Sequence, residues 1–90
     1  MDATSVGLAE NNISLLSIYP NPANDLLNML LDSSSPSEIE INDLTGKRIY
    51  QESNVTSINH TVNVSHLPTG FYIIKVIQGN QLYLNKFHKN

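Results

Sequence analysis

Phe71-Tyr72-Ile73-Ile74-Lys75-Val76-Ile77-Gln78, then Gly79-Asn80, then Gln81-Leu82-Tyr83-Leu84-Asn85-Lys86-Phe87-His88 is the stretch that decides the fold. The first run is almost wholly aromatic or β-branched, the composition that suits a pleated, half-buried strand. Gly79-Asn80 puts glycine first in a two-residue loop, the preference of a type II′ hairpin. The chain then returns as a second strand. Such a loop sets Val76 opposite Tyr83, Ile74 opposite Asn85 and Tyr72 opposite Phe87. Asn85 therefore falls on the inward face beside Ile74. Either a bulge shifts the register, or Asn85 satisfies its amide at a sheet edge.

Working upstream, Leu67-Pro68-Thr69-Gly70 reads as a turn, because proline presets φ and glycine relaxes it. Ile58 to Leu67 holds another strand, with Val62 and Val64 alternating against Thr61, Asn63 and Ser65. Ser53 to Ser57 is mostly polar. Glu38 to Leu44 begins with clean alternation: Ile39 and Ile41 point one way, Glu38, Glu40 and Asn42 the other. Asp43-Leu44-Thr45-Gly46-Lys47 is a tight turn with Gly46 where a positive φ is needed. Arg48 to Glu52 returns, with Ile49 inward.

Nearer the start, Ile13 to Tyr19 is a first strand. Pro20-Asn21-Pro22-Ala23-Asn24-Asp25 stops it, since two prolines remove two backbone donors. Leu26 to Leu31 is a second strand by its length, and Asp32 to Ser37 is a loop. The total is about seven strands and no helix, at spacings that imply a β-sandwich or barrel. The inward set is Ile18, Leu27, Met29, Leu31, Ile39, Ile41, Leu44, Ile49, Val62, Val64, Leu67, Tyr72, Ile74 and Val76. Met1 to Asn12 has no basic start and no apolar run, so it is not a secretory leader. It reads as a flexible linker or a cloning remnant, leaving residues 13–90 as the folded domain.

Composition narrows the function. The chain has 90 residues, 5 Lys+Arg against 8 Asp+Glu, a net charge of -3 and no cysteine. One domain is the limit at this size. Without cysteine there is no disulfide scaffold and no zinc–thiolate site. Five scattered cations do not make the basic surface that nucleic acid requires. No apolar run reaches the roughly 20 residues of a spanning helix.

The chemistry-bearing residues point away from catalysis. His60 and His66 share strand parity but stand about 20 Å apart on an extended strand, too far for one metal. Glu38 and Glu40 occupy an outward strand face. Asp25 and Asp43 close turns. There is no nucleophile elbow, phosphate loop or dinucleotide fingerprint. No catalytic residue, metal or cofactor is expected, and no small-molecule substrate. Asn12, Asn54, Asn59 and Asn63 open glycosylation-type triplets that read as polar outward positions. Lys86 and Lys89 form a basic end. By charge they suit an acidic partner, and by position they protect an edge strand from aggregation.

Four segments carry a family resemblance. They are Ile18 to Asp25 around Tyr19-Pro20-Asn21-Pro22, Ile41 to Lys47, Leu67 to Val76, and Lys86-Phe87. In this order, with the chain ending just past Phe87, they resemble the type A C-terminal sorting domain of the type IX secretion system of Bacteroidetes. The resemblance spans roughly residues 14 to 90. Asn42 departs from it, standing where the family more often has an aromatic residue.

The resemblance implies an immunoglobulin-like antiparallel sandwich that is not an enzyme. Such a domain rides at the end of a covalently fused cargo that has reached the periplasm by its own leader. The outer-membrane translocon reads the folded domain. A sortase-like peptidase then removes it, and the cargo is released or attached at the cell surface. The residues implied in recognition are Tyr19, Pro20, Asn21, Pro22, Asp43, Gly46, Lys47, Leu67, Pro68, Gly70, Tyr72, Lys86 and Lys89. Tyr72 is expected to anchor the core beneath the Leu67–Gly70 turn through its hydroxyl. The C-terminal strand is expected to be an exposed recognition edge, open to strand addition. The competing reading is a small adhesion or carbohydrate-binding sandwich of a secreted protein. A structural spacer domain is the third.

Overall fold

A computed structural model describes residues 13–31 and 36–90. Eight strands follow in chain order: β1 (Ile13–Leu15), β2 (Ser17–Tyr19), β3 (Leu26–Leu30), β4 (Ser37–Asp43), β5 (Arg48–Val55), β6 (Asn59–Asn63), β7 (Gly70–Gln78) and β8 (Gln81–Lys89). They form a five-stranded sheet, β1-β8-β7-β4-β5, and a three-stranded sheet, β2-β3-β6. All pairings are antiparallel except β1 with β8. No described residue is helical. The linker expectation for residues 1–12 lies outside the described residues.

The hairpin that decided the fold forms in the expected register. Val76 faces Tyr83, Ile74 faces Asn85 and Tyr72 faces Phe87 without interruption. Positive φ is confined to Gly79 of the two loop residues, as a type II′ turn requires. No bulge is needed at Asn85. Its Nδ2 donates to the Leu16 carbonyl at 2.7 Å, and its Oδ1 accepts from the Lys86 amide at 2.8 Å. A buried-face amide is tolerated because both of its ends are bonded.

Leu16 is also where the first predicted strand breaks. Ile13 to Tyr19 is not one strand. It runs beside β8 as β1, then crosses to pair with β3 as β2, which gives eight strands where about seven were expected. Leu16 sits at the crossing with 1% of its surface exposed. The Leu16 amide donates to the Leu84 carbonyl at 2.9 Å. Switching sheets lets one apolar segment close both layers.

The alternation read from β4 and β7 builds the core. Ile39, Ile41, Tyr72, Ile74 and Val76 meet Leu27, Met29, Val62 and Val64 across the two sheets, and all are buried. Each such side chain contributes about 1.5–3 kcal/mol of burial free energy. Leu16, Ala23, Val55 and Phe87 join them, though they were not in the expected inward set. Ile18 and Ile49 only pack against the core, partly buried. Leu44 is a clear correction: it is 64% exposed. Its position opposes the parity of inward Ile39 and Ile41, and because β4 ends at Asp43 the turn carries it into solvent.

Two irregularities mark β5, an edge of the larger sheet. Ile41 pairs with Tyr50 and Asn42 with Arg48, leaving Ile49 as an extra residue. A second shift falls between the Ser37 and Ile39 pairs, where Asn54 takes φ of 57°. Bulges of this kind twist an edge away from unwanted pairing. β5 also runs to Val55, further than the Glu52 expected from its polarity, because buried Val55 pairs with Ser37.

Candidate functional site

The three turns singled out in the sequence, and the end of β8, lie side by side at one end of the sandwich. Ala23 forms a parallel bridge with Lys89, Gly70 pairs with Lys89, Tyr72 with Phe87, and Asp43 with Tyr72. Residues 43–47, 67–70 and 20–25 are far apart in the chain. They converge because β4, β7 and β8 are neighbours whose ends align.

The Pro20–Asp25 segment is a strap. It leaves β2 in the small sheet, lies along β8 of the large sheet, and returns to β3. Cis peptide bonds precede both Pro20 and Pro22. The Asn21 Oδ1 accepts from the His88 amide at 3.0 Å, and its Nδ2 donates to the Lys86 carbonyl at 3.2 Å. One side-chain amide thus stands in for a neighbouring strand's peptide group. Beyond it, the Ala23 amide donates to the His88 carbonyl at 2.8 Å, and its carbonyl accepts from the Asn90 amide at 2.9 Å. Asn90 Nδ2 donates to Asn24 Oδ1 at 3.0 Å. Ala23 is fully buried. Tyr19, Pro20 and Pro22 face solvent.

The strap overturns one expectation. β8 is not an open edge: β1 covers it from Leu82 to Leu84, and the strap covers it from Lys86 to Asn90. Strand addition to its outer side is blocked. Lys89 is 7% exposed, with its ammonium donating to the Asn90 carbonyl at 2.9 Å, so it is no surface handle. Lys86 is exposed, its Nζ 5.3 Å from the centroid of Phe71, within cation–π reach.

Asp43 organises the second turn. Its Oδ1 accepts from the Thr45 hydroxyl at 2.6 Å, the Thr45 amide at 2.9 Å and the Lys47 amide at 3.0 Å. Donors directed at the ionised form hold its pKa below the ordinary value of 3.8, the Thr45 hydroxyl foremost. Gly46 takes φ of +92°, open to glycine and strained for other residues. Lys47 is exposed.

In the third turn, the Tyr72 hydroxyl donates to the Pro68 carbonyl at 2.6 Å. Its ring stacks on Phe87 with centroids 5.5 Å apart. The expected anchor beneath the turn is therefore present, and Leu67 is buried beside it. Gly70 holds φ of +154° as it enters β7.

A polar cluster that the sequence reading missed joins the two sheets elsewhere. His60 Nε2 lies 3.0 Å from Glu52 Oε1, and the Tyr50 hydroxyl donates to the same oxygen at 2.5 Å. These bonds, Tyr50 first, lower the Glu52 pKa. Burial and the carboxylate push Tyr50 up to about 12. Ser57 Oγ is 3.5 Å from His60 Nδ1. The cluster ties β5 to β6. With Ile49 read as inward, strand parity puts Glu52 outward; the extra residue at Ile49 reverses this and sets Glu52 opposite inward Ile39, and His60 comes from the second sheet.

The model of the family described as "Secretion system C-terminal sorting domain" matches residues 17–90. The chain is also 29% identical over 91 residues to the ulvan lyase NLR42 of Nonlabens ulvanivorans. That alignment takes in all of this chain but 17% of the relative. The matched span holds the strap, both tight turns and the covered end of β8.

Proposed function

The chain belongs to the family of type IX secretion C-terminal sorting domains, and from that membership we propose how its folded end serves as the address. The domain is a sorting signal and not an enzyme. It is fused to a cargo, which crosses the periplasm and is handed to the outer-membrane translocon. The translocon reads the end where the strap, Asp43–Lys47 and Leu67–Gly70 converge. A sortase-like peptidase cuts upstream of the folded body, and the cargo is released or held at the surface. The ulvan lyase relative, of which this chain spans a small share, suits a cargo that is an enzyme in its other part.

The single supporting observation is the convergence itself. Three segments separated by tens of residues are brought to one end, each tied down by a side chain: Asn21 to β8, Asp43 within its own turn and Tyr72 to Pro68. A rigid surface is recognised without the ordering cost that a loose tail incurs on binding. Proline-rich and glycine turns on a sandwich supply that rigidity.

The test is fusion of the 90-residue chain to a periplasmic reporter in a host with this secretion system. The reporter is expected outside the cell. Retention in the periplasm with the domain folded overturns the reading. Removing residues 86–90 is expected to abolish export, since it strips away Phe87 and everything the strap grips. Unchanged export after that deletion removes the covered strand from the mechanism.

A further inference from the structure

The two sheets present very different outer faces. That of the three-stranded sheet carries Ser17, Tyr19, Leu26, Asn28, Leu30, Asn59, Thr61 and Asn63 and no charged residue. That of the five-stranded sheet carries Arg48, Lys75 and Lys86 together with Glu38 and Glu40. Asp2, Glu10 and Asp32 lie outside the described residues, so five acids and five cations remain within them. A local surplus there is arrangement rather than composition.

The arrangement is uneven. Lys75 is 3.8 Å from Glu40, and Lys89 is turned inward. Lys86, Arg48 and Lys47 make no ion pair among the described residues, and all three lie toward the motif-bearing end. One row crosses the sheet there: Lys86 beside Ile73, Ile73 beside Asn42, Asn42 beside Arg48. In the next row, Phe71 is 49% exposed and packs on the His88 ring at 4.7 Å. Asn42 Oδ1 is buried with no donor among the described residues. Two acids lie at this end: Asp25 at the foot of the strap, and Asp43, one of whose carboxylate oxygens is enclosed by its own turn.

We infer that this corner of the five-stranded sheet, Phe71 and Ile73 flanked by Lys86 and Arg48, is a docking surface for a protein partner that sets carboxylates around an apolar contact. The inference rests on the sorting reading and adds to it the face that is read and the charge of the reader. An apolar centre rimmed by unpaired cations favours an acidic rim opposite and disfavours a basic one. The uncharged outer face of the small sheet has no such selectivity.

The experiment uses the whole 90-residue chain on the periplasmic reporter, with thermal unfolding of each variant to confirm that it is folded. Lys86→Glu is expected to slow export by about fivefold, the effect of one exposed charge pair. Phe71→Ser is expected to slow it similarly, and Lys86→Arg to leave it unchanged. Leu26→Glu with Asn59→Glu makes the same net charge change on the opposite face and is expected to export normally. Equal export by Lys86→Glu and the parent overturns the surface while the sorting reading stands. An equal loss in the opposite-face variant overturns it as well. Lys86-dependent binding of the purified chain to phosphatidylglycerol vesicles replaces the protein partner with a membrane. If the parent fusion itself stays in the periplasm, the sorting reading fails and the surface falls with it.

Discussion

Asn21 holds His88 from 67 residues away: its Oδ1 accepts the His88 amide hydrogen at 3.0 Å. Together with the bond from Nδ2 to the Lys86 carbonyl, it closes the outer side of β8 where no strand pairs. Asn21→Ala leaves that edge to water. The expected cost is about 1–2 kcal/mol, a fall in melting temperature of roughly 4–16 °C for a domain of this size. Amide exchange at His88 should speed up more than at Ile74. A His88 amide as protected in Asn21→Ala as in the parent refutes the strap.

Tyr72→Phe keeps the ring on Phe87 and removes only the bond to Pro68. It should cost about 1 kcal/mol and loosen residues 67–70, while the core stays intact. Tyr72→Ala, which opens a cavity under the same turn, should cost about 3–5 kcal/mol. Equal unfolding midpoints in urea for Tyr72→Phe and the parent sink the anchor.

Gly46 isolates a backbone effect. A Cβ built there meets nothing within 4 Å, so any penalty comes from φ and not from crowding. The expected order of stability is glycine, then asparagine, then alanine, then valine, with alanine costing about 1–3 kcal/mol. Chemical denaturation of the four proteins checks it, and a valine variant as stable as the asparagine variant contradicts it.

Acid should loosen the fold through Asp43 and Glu52. Both are held below their ordinary values of 3.8 and 4.5. Between each folded value and its ordinary one, the unfolded chain binds more protons than the folded one. Stability from these groups is therefore complete above the ordinary values and is lost as pH falls through the folded ones. Asp43→Asn preserves an acceptor for the Thr45 and Lys47 amides but cannot titrate. Its urea midpoint should vary less with pH below about 4 than the parent's. Parallel pH profiles for the two proteins dismiss the contribution of Asp43.

Legibility followed the range of the interactions. The β7–β8 register was readable because Gly79-Asn80 and the alternation around it lie within a few residues. The Asp43 turn and the Tyr72 bond to Pro68 span four residues or fewer. Leu44 was misread because its apolar side chain was set inward against the parity of Ile39 and Ile41, which points even-numbered positions outward, and because it lies in the turn after β4. The polar Glu52–His60 contact was invisible to strand periodicity, since it joins different sheets.

Local chemistry by itself determined that this chain is all β, where its tight turns fall and which side of β4 and β7 is dry. Those features depend on neighbours in sequence: a positive φ that glycine accepts, a carboxylate within reach of the next amides, apolar residues two apart. Tertiary structure alone decided that Ile13–Tyr19 would divide between two sheets, that β1 would run parallel to β8, and that β1 and the strap held by Asn21 would together cover the outer side of the last strand. A backbone amide can be satisfied by any acceptor that reaches it, and which one does is settled only when distant segments are packed against each other.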